Sequence, residues 1–434
     1  MGRRIFSRWI DGPHGCAAPE KRGVHINGQF ASWASLAGRA STISQTLVPG
    51  ALYVVDPSVG HDAFAALLAV AMTSNTTLVW GKPHTIPLRL TPTAPGLFVS
   101  QDTPLDGPLR PRYATATSGT SGAAKIPVAY GEQLELVALQ YDLALYQRAL
   151  PGDAPVQVLA TCLPLEYAAV FMMLIVPAMF MAHDLVLFPS YRWDVLHGIA
   201  ARQRVACLAV PALVTAAHAG TPQTIEMQNC AFIFTAGYLS RARGALIRGK
   251  FRGATLLGSY GASETGVMTI DPEPDAHAHV GRAIAGKPIW IAQPDENGIG
   301  RVSTTGPDCR DFYLQLAGRI RDEQGAVSST DYGHLDADCN LYLDGRIDGG
   351  SKLHGLTIYP RQIERHILLL PGVEDVRVQL GSSEGSERLE ARIVGTVLPD
   401  AVREHCRSLP DSCRPTVLEC VPEQVAGYSL RGKL

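Results

Sequence analysis

The sequence contains no Cys-x-x-Cys pair. Its nine cysteines, at positions 16, 162, 207, 230, 309, 339, 406, 413 and 420, are scattered. That spacing argues against both a zinc site and a disulfide framework, and a reducing cytoplasm is the expected location. Charge of one sign is also missing, since 38 Lys and Arg stand against 40 Asp and Glu for a net charge of -2. A balanced chain offers no electrostatic footprint for nucleic acid or an anionic membrane, so small molecules or a carrier are the expected partners. There is no uninterrupted apolar span. The most apolar stretch, 168–189, is broken by Pro177 and by His183 with Asp184. It reads as a buried helix entering a strand at 185–188. Arg3 and Arg4 are followed by Ser7, Arg8, Asp11 and Gly12 rather than an apolar signal region, and Phe6 stands where a myristoylation motif needs Ser or Thr. The N-terminus is therefore expected to be mature protein. Internal repeats and low-complexity segments are absent as well.

What is present is enough apolar material for sizeable cores. At 434 residues and 46% hydrophobic content, the chain is expected to form two or three domains or subdomains. Short β-rich runs at 51–55, 77–80, 156–160, 185–188, 207–210 and 232–234 alternate with helix-like stretches. This pattern predicts a layered α/β architecture with largely parallel strands. From Gly281 the texture changes to glycine-punctuated short strands, as at 288–292 and 300–304, which predicts a β-rich subdomain ending near 341–344. Asp348-Gly-Gly-Ser351 is small and flexible, suited to an interdomain hinge. Beyond it the pattern predicts a helix at 360–370, strands at 373–380 and 390–394, and a helix at 401–409. The organisation expected is a large body at 1–344 and a small mobile α+β domain at 345–434.

The densest chemical signal is Thr115-Ala-Thr-Ser-Gly-Thr-Ser-Gly-Ala-Ala-Lys125. Gly119 and Gly122 let successive N–H groups converge on phosphate oxygens. Thr117, Ser118, Thr120 and Ser121 add hydroxyl donors, and Lys125 adds a point charge. The loop is not a Walker A motif, because two alanines separate Gly122 from Lys125 and Ile126 follows the lysine.

Residues 117–125 resemble the phosphate loop of the adenylate-forming superfamily, which includes acyl- and aryl-CoA synthetases, adenylation domains and luciferases. Further segments follow in the family's order. Tyr260-Gly-Ala-Ser-Glu264 is similar to Tyr-Gly-x-Thr-Glu, and Ser329-Thr-Asp331 with Gly333 to Thr-Gly-Asp-x-Gly, with Thr330 replacing the glycine. Gly345-Arg-Ile-Asp348, Lys352-Leu-His-Gly355 and the 358–364 segment resemble the hinge region, and Ser429-Leu-Arg-Gly-Lys433 the terminal Gly-Lys loop. Phe30 to Leu36 resembles the opening helix, and His61 to Lys82 the first strand-helix unit. The segment between Lys82 and Thr117 is short for the family, as is the whole chain. Pro164-Leu-Glu-Tyr167 lies where many members carry a histidine.

The resemblance implies an AMP-forming acid:thiol ligase. A carboxylate attacks the α-phosphate of ATP, giving acyl-AMP and pyrophosphate, and the thiol of coenzyme A or of a phosphopantetheinyl carrier protein then takes the acyl group. By position in the family motifs, Thr117, Ser118, Gly119, Thr120, Ser121, Gly122 and Lys125 are expected to hold the phosphates. Glu264 is expected to face Mg²⁺, with Gly261 and Ser263 beside the nucleotide. Tyr260 is expected against the adenine, Asp331 and Arg346 at the ribose, Lys433 as the adenylation lysine, and Asp348 as the pivot. Tyr167, Ala236, Gly237 and Gly261 are expected at the acid pocket. This pairing of one aromatic wall with small residues, and no charged partner for an amino acid, favours an aromatic, hydroxybenzoate-like acid. The alternatives are a fatty-acid ligase and a non-catalytic nucleotide- or acyl-adenylate-binding protein of the same fold.

Overall fold

The computed structural model describes residues 3–6, 9, 18–102, 110–116, 125–190, 192–211, 214, 223–314, 319–346, 351–353, 356–383 and 386–421. The chain divides into two compact units. One comprises Met1–Leu208, Gly261–Val267 and Thr305–Val327; the other comprises Ala209–Tyr260, Met268–Thr304 and Ser328–Leu434. The sequence-predicted boundary at 344/345 falls inside the second unit.

The first unit contains two groups of strands with parallel centres. In one sheet the order is Phe312–Tyr313, Pro127–Tyr130, Arg112–Thr115, Thr77–Trp80, Leu52–Val55, Leu97–Ser100, Leu90–Ala94. Its middle three strands are parallel, and Phe312–Tyr313 joins antiparallel to Pro127–Tyr130. In the other group Val205–Ala209, Val158–Thr161, Asp184–Leu187 and Gly23–Ile26 run parallel. Central parallel strands are buried on both faces, so Thr77–Trp80 and Val158–Thr161 are buried along their whole length. Helix His61–Met72 is apolar nearly all round, and Ala63 through Met72 are buried.

Two local features differ from the sequence expectation. Phe30 lies in the strand Gln29–Ser32, and the opening helix starts at Trp33, because the Ser32 side chain accepts from Ser35 N and caps it. The apolar stretch after Tyr167 is helical but widens into a π-turn over Phe171–Ile175. Pro177 has no N–H to donate to the Met173 carbonyl, and that carbonyl accepts from the Tyr146 hydroxyl instead. Among the described residues no helix is long and apolar enough to cross a membrane.

In the second unit Cys230–Phe234 and Thr255–Ala262 pair in parallel. An antiparallel sheet of Ile289–Ala292, Gly300–Thr304, Val327–Leu335 and Leu341–Arg346 forms the β-rich part. Toward the C-terminus, strands Val373–Ser383, Ser386–Gly395 and Val417–Val421 form a three-stranded sheet. Helix Pro360–Leu368 packs on it through Ile363 and Ile367, which share a core with Val376, Val378, Leu389 and Ile393. Polar contacts tie this part to the rest of the unit. Arg365 Nη2 donates to Asp344 Oδ1 at 3.0 Å, Arg243 Nη2 to Asp375 Oδ2 at 3.0 Å, and Ser240 Oγ to the Glu374 carbonyl at 2.9 Å.

Candidate functional site

Glu264 sits in a three-residue turn between the strands Thr255–Ala262 and Gly266–Asp271. Thr265 closes that turn, donating its N–H to the Ala262 carbonyl at 3.2 Å and accepting from Ala262 N at 3.0 Å through Oγ1. The turn needs glycine at its exit. Gly266 has φ +67°, and a Cβ there would stand 2.0 Å from Asp308 Oδ2. A Cβ on Gly261 would meet the Gly266 carbonyl oxygen at 2.2 Å, so this glycine permits close backbone approach.

A turn alone leaves a glutamate side chain to solvent, and here a second segment holds it. Arg310 N donates to the Glu264 carbonyl at 2.8 Å, and Arg310 Nε to the Ser263 carbonyl at 3.3 Å. The Tyr313 hydroxyl donates to Glu264 Oε1 at 2.8 Å. The same segment is registered against the strand that follows Lys125. Phe312 pairs with Val128 and Tyr313 with Pro127, and Leu314 N donates to the Ile126 carbonyl at 2.9 Å. Lys125, exposed at the start of that strand segment, places Nζ 5.9 Å from the centre of the Tyr313 ring, within cation–π range. Burial, then the Glu264 charge and hydrogen bond, push the Tyr313 phenol well above its ordinary value, so it remains a donor at neutral pH.

Lys125 and Glu264, two of the sequence-predicted site residues, are thus brought to one tyrosine that sequence reasoning passed over. Glu264 Oε2 has no hydrogen-bond partner among the described residues. A carboxylate oxygen is a hard donor that suits Mg²⁺, which is bound through one or two carboxylates together with substrate phosphates rather than by a protein cage. No group of three or more His, Cys, Asp or Glu suited to a metal occurs among the described residues.

The second unit holds another sequence-predicted carboxylate, Asp331. Asp331 lies within the strand Val327–Leu335, opposite Arg346 in the antiparallel ladder. Its N–H donates to Ser329 Oγ at 3.1 Å, and Asp331 Oδ2 accepts from the Tyr260 hydroxyl at 2.7 Å. Burial, followed by the Asp331 charge and hydrogen bond, holds the Tyr260 phenol well above its ordinary value. Thr330 is exposed in extended backbone without a positive φ, which is why a β-branched residue stands comfortably where the resemblance expects glycine. Gly333 keeps its glycine for a physical reason: a Cβ would meet the Tyr342 carbonyl oxygen at 2.3 Å.

The remaining sequence-predicted residues are less gathered. Tyr167 is 43% exposed at the N-terminus of a short helix, and its neighbour Glu166 pairs with Lys82 at 2.6 Å. Ala236 has φ +58°, a left-handed conformation that a non-glycine residue adopts only when the surroundings enforce it. Gly237 follows it in the second unit. Thr117, Ser118, Gly119, Thr120, Ser121, Gly122, Asp348 and Lys433 lie outside the described residues. A cavity of about 980 Å³ in the first unit, lined among others by Lys21, His25, Phe30, Val186, Phe188 and Ile199, includes none of the sequence-predicted residues.

No protein-family model matches the chain. It is 29% identical over 150 residues to the 2-succinylbenzoate–CoA ligase of Oceanobacillus iheyensis, covering 32% of this chain and 31% of that protein. It is 26% identical over 170 residues to the 3,4-dihydroxybenzoate–[aryl-carrier protein] ligase of Bacillus anthracis, covering 39% and 37%. The chain thus matches about a third of the length of these relatives. In fold the likeness extends much further. ATP-bound MatB from Rhodopseudomonas palustris superposes with a TM-score of 0.76 at 19% identity, over 97% of this chain and 95% of the other. The likeness in sequence to these ligases over part of the chain and the likeness in fold over nearly all of it agree with the resemblance of the ordered motifs to the adenylate-forming superfamily.

Proposed function

We propose that the chain is an ATP-dependent carboxylic acid:thiol ligase that activates an aromatic acid as acyl-AMP and passes it to coenzyme A or to a phosphopantetheinyl carrier protein in the cytoplasm. The observation that carries this reading is the Lys125–Tyr313–Glu264 cluster, in which the lysine closing the glycine- and hydroxyl-rich loop and the carboxylate of the Tyr260-to-Glu264 motif meet on one side chain. Adenylation must neutralise a triphosphate, hold the nucleoside, align the acid and exclude water.

In this reading Lys125 and the 117–122 loop bind the phosphates. Glu264 would hold Mg²⁺, which would supply charge neutralisation when bound. Tyr260, Asp331 and Arg346 hold the nucleoside, with Asp331 accepting from ribose hydroxyls. Gly261 and Ser263 border the nucleotide. Tyr167, Ala236, Gly237 and Gly261 shape the acid pocket. Lys433 stabilises charge as the carboxylate oxygen attacks the α-phosphorus and pyrophosphate leaves. A thiolate sulfur then attacks the acyl carbon, and AMP departs. The domain division in this reading is a body at 1–344 and a cap at 345–434 that turns about Asp348.

The aromatic preference rests on the named activities of the two relatives, one acting on 2-succinylbenzoate and the other on 3,4-dihydroxybenzoate, together with the single aromatic residue among small ones at the pocket positions. Pyrophosphate release measured over aryl, short-chain and long-chain acids tests it. Hydroxybenzoate-like acids are expected to give higher kcat/KM than octanoate or any amino acid. A preference for octanoate would overturn the aryl assignment, and an absence of acid-dependent release across the panel would overturn the ligase reading.

A further inference from the structure

The segment Arg310–Tyr313 belongs to none of the motifs that the family resemblance picks out, yet it touches both charged groups on the phosphate side. Its contacts follow from the fold. The two-residue strand Phe312–Tyr313 is registered on Pro127–Tyr130, which fixes Tyr313 two residues beyond Lys125 along the neighbouring strand. Asp311 locks that register from the other end. It donates its N–H to the Val128 carbonyl at 2.8 Å, accepts from Tyr130 N at 3.2 Å and takes an ion pair from Arg321 Nε at 3.0 Å. Arg310, almost wholly buried over the Tyr113 ring at 4.5 Å, grips the backbone of Ser263 and Glu264.

The backbone of the turn is therefore held by Arg310, and of Glu264 the tyrosine holds only the carboxylate. We infer that Tyr313 is a positioning residue for the nucleotide's divalent cation: its hydroxyl pins Glu264 Oε1 so that Oε2 faces the ion, and its ring seats the Lys125 ammonium. This inference rests on the ligase reading of the same site. A free glutamate on a turn samples several rotamers and must lose that freedom to bind a cation. A hydrogen bond to one oxygen removes much of that cost before the ion arrives.

The test separates metal-dependent from metal-free binding in the full-length chain. ATP affinity is measured by calorimetry with no acid present, over a Mg²⁺ series and in EDTA, alongside thermal melting. Wild-type protein that binds no ATP under any of these conditions contradicts the nucleotide reading itself. Given binding, Tyr313→Phe is expected to raise the Mg²⁺ concentration at half-effect about tenfold, the scale of one hydrogen bond to a charged group. Its affinity in EDTA and its Tm should stay unchanged. Tyr313→Leu, which also removes the ring, is expected to weaken ATP in EDTA by severalfold as Lys125 loses its seat. In a double-mutant cycle, Glu264→Gln should make the Tyr313→Phe change silent. An unaltered Mg²⁺ requirement in Tyr313→Phe overturns the inference. So does equal weakening with and without Mg²⁺ accompanied by a lower Tm, or full additivity with Glu264→Gln.

Discussion

Glu264 in the first unit and Asp331 in the second each accept from a tyrosine hydroxyl, but they are mounted on different backbones. Asp331 is part of a β-ladder, opposite Arg346, with Tyr260 and Ser329 completing its contacts from within the same unit. Glu264 occupies a turn and is held by a segment more than forty residues later, through Arg310 and Tyr313. A ladder fixes the backbone on both sides of Asp331, and the Tyr260 hydroxyl that holds its carboxylate comes from the same unit. A turn fixes only backbone, and a charge mounted on it needs a dedicated partner. The ladder-held group suits recognition of an unchanging part of a ligand. The group on the turn, held by a segment distant in sequence, suits an ion that arrives and leaves with each turnover.

The comparison is tested first where it predicts the largest effect. Asp344, fully buried in the strand Leu341–Arg346, accepts from Arg365 Nη2 at 3.0 Å and contacts His334 Nδ1 at 2.7 Å. Asp344→Ala strands the buried arginine and is expected to cost about 3–5 kcal/mol of stability in denaturant unfolding. The turn side should behave in the opposite manner. Glu264→Gln is expected to lower acid-dependent pyrophosphate release by about 100- to 1,000-fold, as loss of a charged contact in the transition state does, while its unfolding midpoint stays close to wild type. A Glu264 variant that unfolds as readily as the Asp344 variant would erase the distinction.

Asp331→Ala is expected to weaken ATP by about tenfold or more, the scale of a lost hydrogen bond to a charged group. Because the site is preformed, the loss should be the same with Mg²⁺ or EDTA. A loss confined to the Mg²⁺ series would assign Asp331 to the metal side instead.

The smallest effect concerns groups held by each other. His366 and His405 stack with ring centres 4.3 Å apart, and each Nε2 contacts the other's carbonyl, at 3.0 and 2.8 Å. Ser408 Oγ is 3.0 Å from His366 Nε2. Burial lowers the His366 pKa below its ordinary value, against the raising effect of the hydrogen bond to the His405 carbonyl, and the His405 charge adds the smallest, lowering, effect. The unfolded chain therefore takes up a proton near pH 6.5, and the folded chain only below it. The contribution is complete above that range and is lost as the pH falls through it. The Tm should fall between pH 8 and pH 5.5 by more in wild type than in His366→Gln. Parallel profiles would remove the pair from the account.

Much of the framework was legible because its signals are local. The buried strand Thr77–Trp80 shows itself as a short apolar run, and Gly300–Thr304 lies where the glycine-punctuated texture predicts a strand. Motif order picked out the charged residues of the candidate site, of which Lys125 and Glu264 lie at one tyrosine and Lys433 is outside the described residues. What remained hidden depends on distant pairing. Tyr313 sits in a two-residue strand with no periodicity of its own, and its meaning comes from a partner strand about 180 positions earlier. The Phe-Tyr pair after Arg310-Asp311 was the available clue, and it is indistinguishable from an ordinary edge strand. The left-handed Ala236 gave no warning either, since alanine carries no preference for that conformation. The Phe171–Ile175 π-turn was foreshadowed only by Pro177.

The central claim is that this chain joins a carboxylate oxygen to the α-phosphorus of ATP. Turnover of a carboxyl-¹⁸O-labelled hydroxybenzoate with ATP, Mg²⁺ and coenzyme A, with the nucleotide product analysed by mass spectrometry, tests it most directly. The account predicts AMP and pyrophosphate as products, with one ¹⁸O carried from the acid into the AMP phosphate. Formation of ADP, or of AMP without the label, would contradict it.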